Sequence, residues 1–443
     1  MNLIRLYTVV IILLVISVTT YAQTPLSLDS CMHHALRNRA SIKSLSQDQL
    51  VAALKTKDLK AKYWPQISIN YDYRYNPVIP TSIVPIGQFN PTPTSEVRGI
   101  RFGTKWQQNA GATVYQPLWD ATIASQVAES KIQDRLKQLD QENAENELRY
   151  EVIKTYAEIC LNQTKIADNA LDTLRTTQTS SLMQARFEEG RLLKTEYNKA
   201  RVNHNHARES YQFAVTEFIQ KVGYLSYLTT FPVEELLSAQ YITDSLTKFI
   251  TNTKEINPEK IGVLNQLQEQ TMLVNQQIIS ERKKNAPTVG LDGFVGANQF
   301  SNDFNPIEKN SWYMASYIGL SVKWKLLSGE NKANHIRQLN AQARSLVLQT
   351  EEQQQLLSKN LRELDETIRL QQQQLQSVQE NILLLKESVQ IYQDRFEAGK
   401  IEANDLNSIE IDLQKEIIKQ QDTQIQLVQN QLKRLFNAGN LFK

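Results

Sequence analysis

Two long stretches of this 443-residue chain contain no proline: residues 118–231 and residues 307–443. A proline inside a helix costs about 3 kcal/mol, so these stretches are where very long helices can form. Each stretch has a glycine near its middle, Gly190 in the first and Gly399 in the second. The whole chain contains 14 Gly and 12 Pro, against roughly 30 and 22 at average usage. This pattern argues against an ordinary multidomain enzyme.

Charge and reactive residue types exclude several classes of function. The 49 Lys and Arg almost balance the 47 Asp and Glu, which removes the electrostatic argument for a nucleic-acid partner. His204 and His206 are two residues apart on a predicted helix and face different sides, so they do not chelate a metal together. Cys31 and Cys160 fall on helical patterns and are interpreted as small buried side chains. Neither a phosphate-binding glycine loop nor a nucleophile elbow occurs. We predict no enzyme activity, catalytic residue, metal or cofactor.

Residues 1–22 are predicted to be a signal peptide. Arg5 supplies the positive start, Leu6 to Val18 is an apolar run, and Thr20 to Ala22 supplies small residues near the cleavage point. No later stretch approaches about 18 uninterrupted apolar residues, so no transmembrane helix is predicted. No cysteine follows the cleavage point directly, so a lipid anchor there is not predicted.

The sequence is internally duplicated. Arg186–Arg191 (Arg-Phe-Glu-Glu-Gly-Arg) matches Arg395–Lys400 (Arg-Phe-Glu-Ala-Gly-Lys). Two further pairs match in the same order: Val114–Leu118 with Val322–Leu326, and Trp64–Ile67 with Ala286–Val289. The first copy carries about fourteen extra residues in the region of residues 77–93, which we interpret as an elongated proline-rich loop.

Four segments alternate apolar and polar residues with a period of two, which predicts strands at about 66–76, 99–118, 288–298 and 311–326. A soluble hairpin packed on a core is the alternative. Membrane strands are favoured because about 9–11 tilted residues suffice to cross a bilayer and because the apolar face is rich in Tyr and Trp. The predicted lipid-facing positions are Ile67, Ile69, Tyr71, Tyr73, Tyr75, Phe102, Trp106, Trp312, Met314, Ile318 and Leu320.

Four strands cannot close a barrel in lipid, because the open edges would leave backbone N–H and C=O groups unpaired. Other copies of the chain must supply the remaining strands. Two copies give eight strands and three give twelve, so the residues predict a homo-oligomer and leave its number open.

Long helices are predicted after each strand pair. From Leu357 to Phe396 the apolar positions follow a 4-3 spacing, which is typical of a coiled-coil seam. Residues 330–398 as one helix would reach about 100 Å. The pattern resumes after Gly399, so the glycine marks a reversal, and Gly190 does the same in the first copy. Each copy is therefore predicted to be a β-hairpin followed by a long αα-hairpin.

These predictions divide the chain into five parts. They are the signal peptide (1–22), the first repeat (23–222, helical hairpin 119–222), an equatorial segment (223–260), the second repeat (261–436, helical hairpin 330–436) and a C-terminal tail (437–443).

The duplicated motifs resemble the TolC-like outer-membrane efflux proteins (outer membrane factors) over essentially the whole mature chain. The resemblance rests on the strand openings Trp64–Ile69 and Ala286–Leu291, the strand exit Tyr115–Asp120, and the two Arg-Phe-Glu-x-Gly turns. It implies a mixed α and transmembrane-β fold with four strands per chain. In a homotrimer these would complete a twelve-stranded barrel and a helical tunnel.

The resemblance also implies a function. The expectation is a passive, porin-like exit duct of a tripartite efflux or type I secretion system, in the outer membrane of a Gram-negative bacterium and extending into the periplasm. Its partners would be outer-membrane lipid, a periplasmic membrane-fusion adaptor and an inner-membrane transporter of the RND or ABC type. The alternative is a periplasmic coiled-coil scaffold or adaptor without a pore.

The resemblance assigns roles to residues at the two turns. The adaptor-docking turns would be Gly190, Arg191 and Leu192, and Gly399, Lys400 and Ile401. The acids of the charged aperture would be Glu196 and Asp405. Three positions depart from the family pattern: Ser408 replaces a second ring acid, Phe396 lacks a hydroxyl, and Ile401 stands where the family can carry Arg. These departures argue against a closed state held by Tyr and Arg hydrogen bonds.

Overall fold

The computed structural model describes residues 25–86, 95–241, 257–305, 312–326 and 329–440. The predicted signal peptide and parts of the proline-rich loop, the equatorial segment and the C-terminal tail lie outside these residues. The elements, in chain order, are β1 (Pro25–Leu26), α1 (Leu28–Asn38), α2 (Ala40–Ala61), β2 (Gln66–Tyr75), β3 (Thr81–Val84), β4 (Arg98–Arg101), β5 (Trp106–Asp120), α3 (Ala121–Glu188), α4 (Lys194–Thr229), α5 (Val233–Ser238), β6 (Gln240–Tyr241), a 3₁₀ turn (Pro258–Lys260), α6 (Gly262–Lys283), β7 (Thr288–Ser301), β8 (Trp312–Lys323), α7 (Gly329–Glu397) and α8 (Ala403–Asn437).

The two longest helices are α3, with 68 residues, and α7, with 69 residues. Helix α3 begins directly after strand β5 because Asp120 caps it: Asp120 Oδ1 accepts hydrogen bonds from the backbone N–H of Thr122 at 2.7 Å and of Ile123 at 3.4 Å. Within the described residues, no helix has both the length and the apolar character needed to cross a membrane.

The order of elements repeats. In each copy a helix precedes two sheet strands, and two long helices follow: α2, β2, β5, α3 and α4, then α6, β7, β8, α7 and α8. The helices before the strands, α2 and α6, were not predicted from the sequence. The two copies are not the two compact units of the structure. Among the described residues, one unit lies within 1–48, 137–268 and 348–443, and the other lies within 49–136 and 269–347, so each draws on both copies.

The first compact unit is helical. Its largest core joins the N-terminal helix α1 to helices α3, α4 and α8. The fully buried members include Leu28, Tyr156, Ile159, Leu225 and Leu432. Tyr156 donates its hydroxyl hydrogen to the carbonyl oxygen of Leu26 at 2.7 Å. In α7 the positions of the predicted seam are buried or half-buried, and Val378, Ile382 and Val389 pack against Leu413 of α8.

The second compact unit contains an antiparallel four-stranded sheet in the order β2-β5-β7-β8. Directly paired residues lie on the same face of such a sheet. Ile69 pairs with Ala112, Ala112 with Val295, and Val295 with Ser316. One face therefore carries the odd positions of β2 and β7 and the even positions of β8, together with the even positions of β5 up to Gln116. This is the parity predicted from the sequence.

The region between β2 and β5 differs from the sequence-based expectation. Residues 99–118 do not form a single strand: β4 pairs with β3 inside the proline-rich insertion, and only Trp106–Asp120 joins the main sheet. Gly103, whose φ of 131° favours glycine, interrupts the extended backbone between β4 and β5. Phe102, predicted to face lipid, therefore lies outside the strands. The register also shifts between Pro117 and Trp119, so Trp119 pairs with Val289.

Candidate functional site

The two turns between long helices are built by the same hydrogen bonds. In the first, the N–H of Gly190 donates to the carbonyl of Phe187 and the N–H of Arg191 donates to that of Arg186, both at 2.9 Å. The second repeats this pattern around Gly399. Gly190 and Gly399 have φ of 73° and 69°, the left-handed conformation that closes a helix in a Schellman motif. The duplicated Arg-Phe-Glu-x-Gly motif therefore marks the end of a helix in both copies.

The acids predicted to line an aperture hold equivalent positions in the two turns. Glu196 and Asp405 are each the third residue of the outgoing helix, where a carboxylate interacts favourably with free N–H groups. Glu196 is buried, and its Oε2 accepts a hydrogen bond from the N–H of Leu193 at 3.1 Å. Asp405 is exposed. In a single chain the first acid thus caps its helix, and the second faces solvent.

One arginine connects the two turns. Arg186 Nη2 donates to the carbonyl of Glu397 at 3.0 Å, and the guanidinium carbon lies 3.9 Å from the ring centroid of Phe396. Phe396 is buried in a cluster with Met183, Ala200, Ala403 and Leu406. The two turns of one chain therefore pack side by side, and we call the two turns and this cluster the tip.

The predicted docking residues differ in exposure. Arg191 and Lys400 are exposed, as are the two glycines. Leu192 and Ile401 are half-buried against the tip cluster. Sequence reasoning missed Leu193, the residue before helix α4, which is 68% exposed. An apolar residue just ahead of a helix start was the available signal.

A buried ionic cluster lies further along the helices and was also missed. Arg175 of α3 contacts Asp172 at 2.5 Å and Glu410 of α8 at 3.2 Å, and the hydroxyl of Thr179 donates to Glu410 at 2.8 Å. Burial raises the pKa of Glu410, Arg175 and Thr179 act in the opposite direction, and Asp172 raises it further. The signal was the position of Glu410, which falls on the 4-3 spacing between Leu406 and Leu413.

The apolar sheet face is exposed in the single chain. Ile69, Met314 and Ile318 are 84%, 87% and 84% exposed. At one end of this face Tyr73, Tyr75, Trp106 and Phe304 form an aromatic group with ring centroids 4.3–5.8 Å apart. The other predicted lipid-facing strand positions, Ile67, Tyr71, Trp312 and Leu320, are exposed or half-buried. Such a face needs a non-aqueous partner or another protein.

The cysteines and histidines take structural positions. Cys31 and Cys160 are buried in one core, and burial raises the pKa of both thiols to about 12. His34 contacts the carbonyl of Thr229 at 2.6 Å and stacks on Phe231. Among the described residues, no three His, Cys, Asp or Glu side chains come together as a possible metal site.

Solved structures with a similar fold are outer-membrane channels. The channel OprN is 14% identical with a TM-score of 0.73, and the match covers 93% of this chain and 90% of OprN. VceC from Vibrio cholerae is 12% identical with a TM-score of 0.73, covering 93% and 96%. CmeC from Campylobacter jejuni is 15% identical with a TM-score of 0.72, covering 94% and 86%. No family model and no curated protein matches the sequence. The similarity shows a fold shared over nearly the whole length of each chain.

Proposed function

We propose that this chain, which has the TolC-like fold, is an outer-membrane channel that serves as the passive exit duct of a tripartite efflux or type I secretion system. Two observations together carry the proposal. The fold is that of the channels, and the four-stranded sheet has an exposed apolar face and two edge strands, β2 and β8, without a partner on their outer sides among the described residues. The site of action is the outer membrane of a Gram-negative bacterium, with the helices in the periplasm.

Closure of the barrel requires other copies. In the proposed homotrimer, β2 of one copy pairs with β8 of the next, and three sheets give twelve strands. The apolar face then contacts lipid through the long side chains at Ile67, Ile69, Ile318 and Leu320, with Tyr and Trp toward the interface. Burial in lipid removes the exposed apolar surface that a soluble sheet would retain.

The tip is the proposed docking surface for a periplasmic membrane-fusion adaptor. Gly190 and Gly399 end the helices, Arg191 and Lys400 present charge, and Leu193 adds an exposed apolar contact. Adaptor contacts would separate the helical hairpins, and an RND or ABC transporter in the inner membrane would supply the energy. Asp405, ringed by threefold symmetry, would form the charged aperture together with Glu196.

Two measurements on the purified protein test the duct. Mass determination in detergent should give a trimer, and planar-bilayer recording should give stable ion conductance. A monomer, or a protein without conductance, would contradict the proposal. Carbonate extraction of membranes separates it from the scaffold alternative, because a soluble scaffold leaves the outer-membrane fraction and a barrel does not.

The docking role can be tested in the native host. A photo-cross-linking side chain at Arg191 or Leu193 should capture a periplasmic protein that is anchored in the inner membrane. The same side chain at Ser377, an exposed residue of α7 away from the turns, is the matched control. Equal capture at all three positions would rule out specific docking at the tip.

A further inference from the structure

Helix α8 makes two different kinds of contact near the tip. With α7, its partner in the second helical hairpin, it shares an apolar cluster. With the first helical hairpin, formed by α3 and α4, its contacts are polar. Asn203 Nδ2 of α4 donates to Asn407 Oδ1 at 3.4 Å, and Lys199 Nζ of α4 donates to Asn404 Oδ1 at 2.8 Å. We call the contacts of Asn404, Asn407 and Glu410 with α3 and α4 the polar seam.

Glu410 lies in this seam among more negative than positive charge. Two buried carboxylates, Asp172 and Glu410, share the single guanidinium of Arg175. Thr179 of α3 and Gln393 of α7 also face Glu410, and both are neutral. Glu410 Oε2 accepts no hydrogen bond from the described residues. With both acids ionised the cluster holds one excess negative charge, which is unfavourable where water is excluded.

The charges at the edge of the cluster do not remove this excess. Asp168 of α3 and Lys386 of α7 line the cleft next to Asp172 and Arg175. They are one acid and one base, so the excess of one negative charge remains. Two events can relieve it. Glu410 can take up a proton while the helices stay packed, or water can reach the carboxylate when the helices separate.

We propose that the polar seam is a proton-controlled switch, in which protonation of Glu410 holds the second hairpin against the first and ionisation favours their separation. The inference rests on the proposed duct, because the switch regulates the same separation of hairpins at the tip. A low periplasmic pH would therefore close the duct.

The direction of this dependence follows from proton linkage. In the closed seam burial raises the pKa of Glu410, Arg175 and Thr179 lower it, and Asp172 raises it further, so that it lies above 4.5. In a separated seam the carboxyl is hydrated and titrates near its ordinary value. The closed seam therefore binds the proton more tightly. Its stabilisation by protonation is complete below about pH 4.5 and is lost as the pH rises through the raised pKa.

Planar-bilayer recording of the intact purified protein tests the switch. The quantity to measure is the ratio of open to closed time, because titration of Asp405 would also change the current through an open channel. In the wild type this ratio should rise between about pH 5 and pH 8, by up to about tenfold for each unit by which the pKa differs between the two states. Glu410→Gln, which mimics the protonated acid, should keep a low ratio across this range.

Two variants of the neighbouring charges should have opposite effects at neutral pH. Asp172→Asn removes the excess negative charge and should lower the ratio of open to closed time. Arg175→Gln removes the shared cation and should raise it. Loss of packing alone would raise the ratio in both variants. Asp412→Asn, at an exposed acid of α8, is the matched control and should keep the pH dependence of the wild type.

The outcomes distinguish the two proposals. Equal ratios in the wild type and Glu410→Gln across the pH range, or a higher ratio in Asp172→Asn, overturn the switch and leave the duct intact. Neither result depends on Arg175→Gln, should that variant fail to assemble. Absence of conductance in the wild type overturns the duct and the switch together.

Discussion

Asp405 and Glu196 have the same position in their turns but different surroundings. Glu196 is buried and its carboxylate caps the N-terminus of α4, whereas Asp405 is exposed on α8. In a threefold assembly, exposed carboxylates at one level would bind divalent cations more strongly than carboxylates already engaged in hydrogen bonds.

Asp405→Asn should therefore weaken divalent-cation block of the channel by an order of magnitude or so, since three charges are removed from one ring. Glu196→Gln should have a smaller effect on block and should instead lower thermal stability of the tip. The measurement is the concentration of magnesium or cobalt ions that halves the bilayer current. Unchanged block in Asp405→Asn would remove this residue from the aperture.

Glu410 makes the stability of the folded protein depend on pH, and the direction of this dependence follows from the raised pKa. Its pKa in the folded protein is raised above the ordinary value of 4.5, mainly by burial, so the folded state holds the proton more tightly than the unfolded state. This contribution to stability is present below about pH 4.5 and is lost as the pH rises through the folded-state pKa.

Glu410→Gln mimics the protonated acid and keeps an acceptor for Thr179. The melting temperature of this variant relative to wild type should therefore rise between pH 4.5 and pH 7.5, by about 2–4 °C for each 1 kcal/mol involved. Circular dichroism melts in detergent measure it. Asp412→Asn, at an acid that is 52% exposed, is the control and should show no such trend. A constant difference across this range would contradict the role of Glu410.

At the scale of elements, we expect replacement of a turn glycine by alanine and replacement of a helix glycine by alanine to change stability in opposite directions. Gly190→Ala should destabilise the first turn by about 1–2 kcal/mol, because alanine is strained at positive φ. Gly223→Ala should stabilise α4 by about 0.5–1 kcal/mol, because its φ is not positive and a Cβ atom there meets open space. Thermal melts of the two variants should shift in opposite directions; shifts of the same sign would contradict the turn geometry.

Neighbouring positions of β2 provide a matched test of the sheet faces. Ile69→Arg places a charge on the apolar face and should reduce membrane assembly, since arginine at the bilayer midplane costs about 2–4 kcal/mol. Asn70→Arg, on the opposite face of the same strand, should assemble normally. Unheated gel electrophoresis of outer-membrane fractions reports the assembled species. Equal assembly of both variants would mean that this face does not contact lipid.

Sequence periodicity predicted these elements unevenly. The parity of β2 and the seam of α7 were visible because one face is apolar from Ile67 to Tyr75 and one stripe is apolar from Leu357 to Phe396, with Gln371 as its one polar position. Helix α2 lacks such a stripe, so its existence did not follow from the pattern. Strand β4 pairs with β3 and is separated from β5 by Gly103, which has a positive φ, and alternation alone does not reveal this interruption.

At the scale of the whole chain, the contacts that matter most join the two copies. Arg186 contacts Phe396 and Glu397, Arg175 contacts Glu410, and β5 pairs with β7. The position of each turn was predictable from the duplicated motif. The packing of one turn on the other was not, because the side chains that make these contacts are far apart in sequence. The proposal that Glu196 and Asp405 line an aperture came from family resemblance, and the capping role of Glu196 required the structure.

This arrangement predicts that neither copy folds alone. Chains cut within residues 242–256 should give two fragments that are sensitive to protease separately and become resistant when expressed together, because each compact unit uses residues from both. Limited proteolysis of periplasmic extracts, with the uncut chain as the control, measures this. A fragment that resists protease by itself would show that a copy is an independent folding unit.

The pairing of β5 with β7 also constrains the order of events during biogenesis. Strand β5 ends at Asp120 and its partner begins at Thr288, with the helical hairpin of α3 and α4 between them. Strands β2 and β5 are therefore synthesised before β7, the strand that pairs with the second edge of β5. Pairing across so long a separation is slow, and unpaired apolar strands aggregate. During synthesis the chain therefore passes through an interval in which one edge of β5 is unpaired, and we expect a chaperone that covers this edge to increase the yield of folded protein.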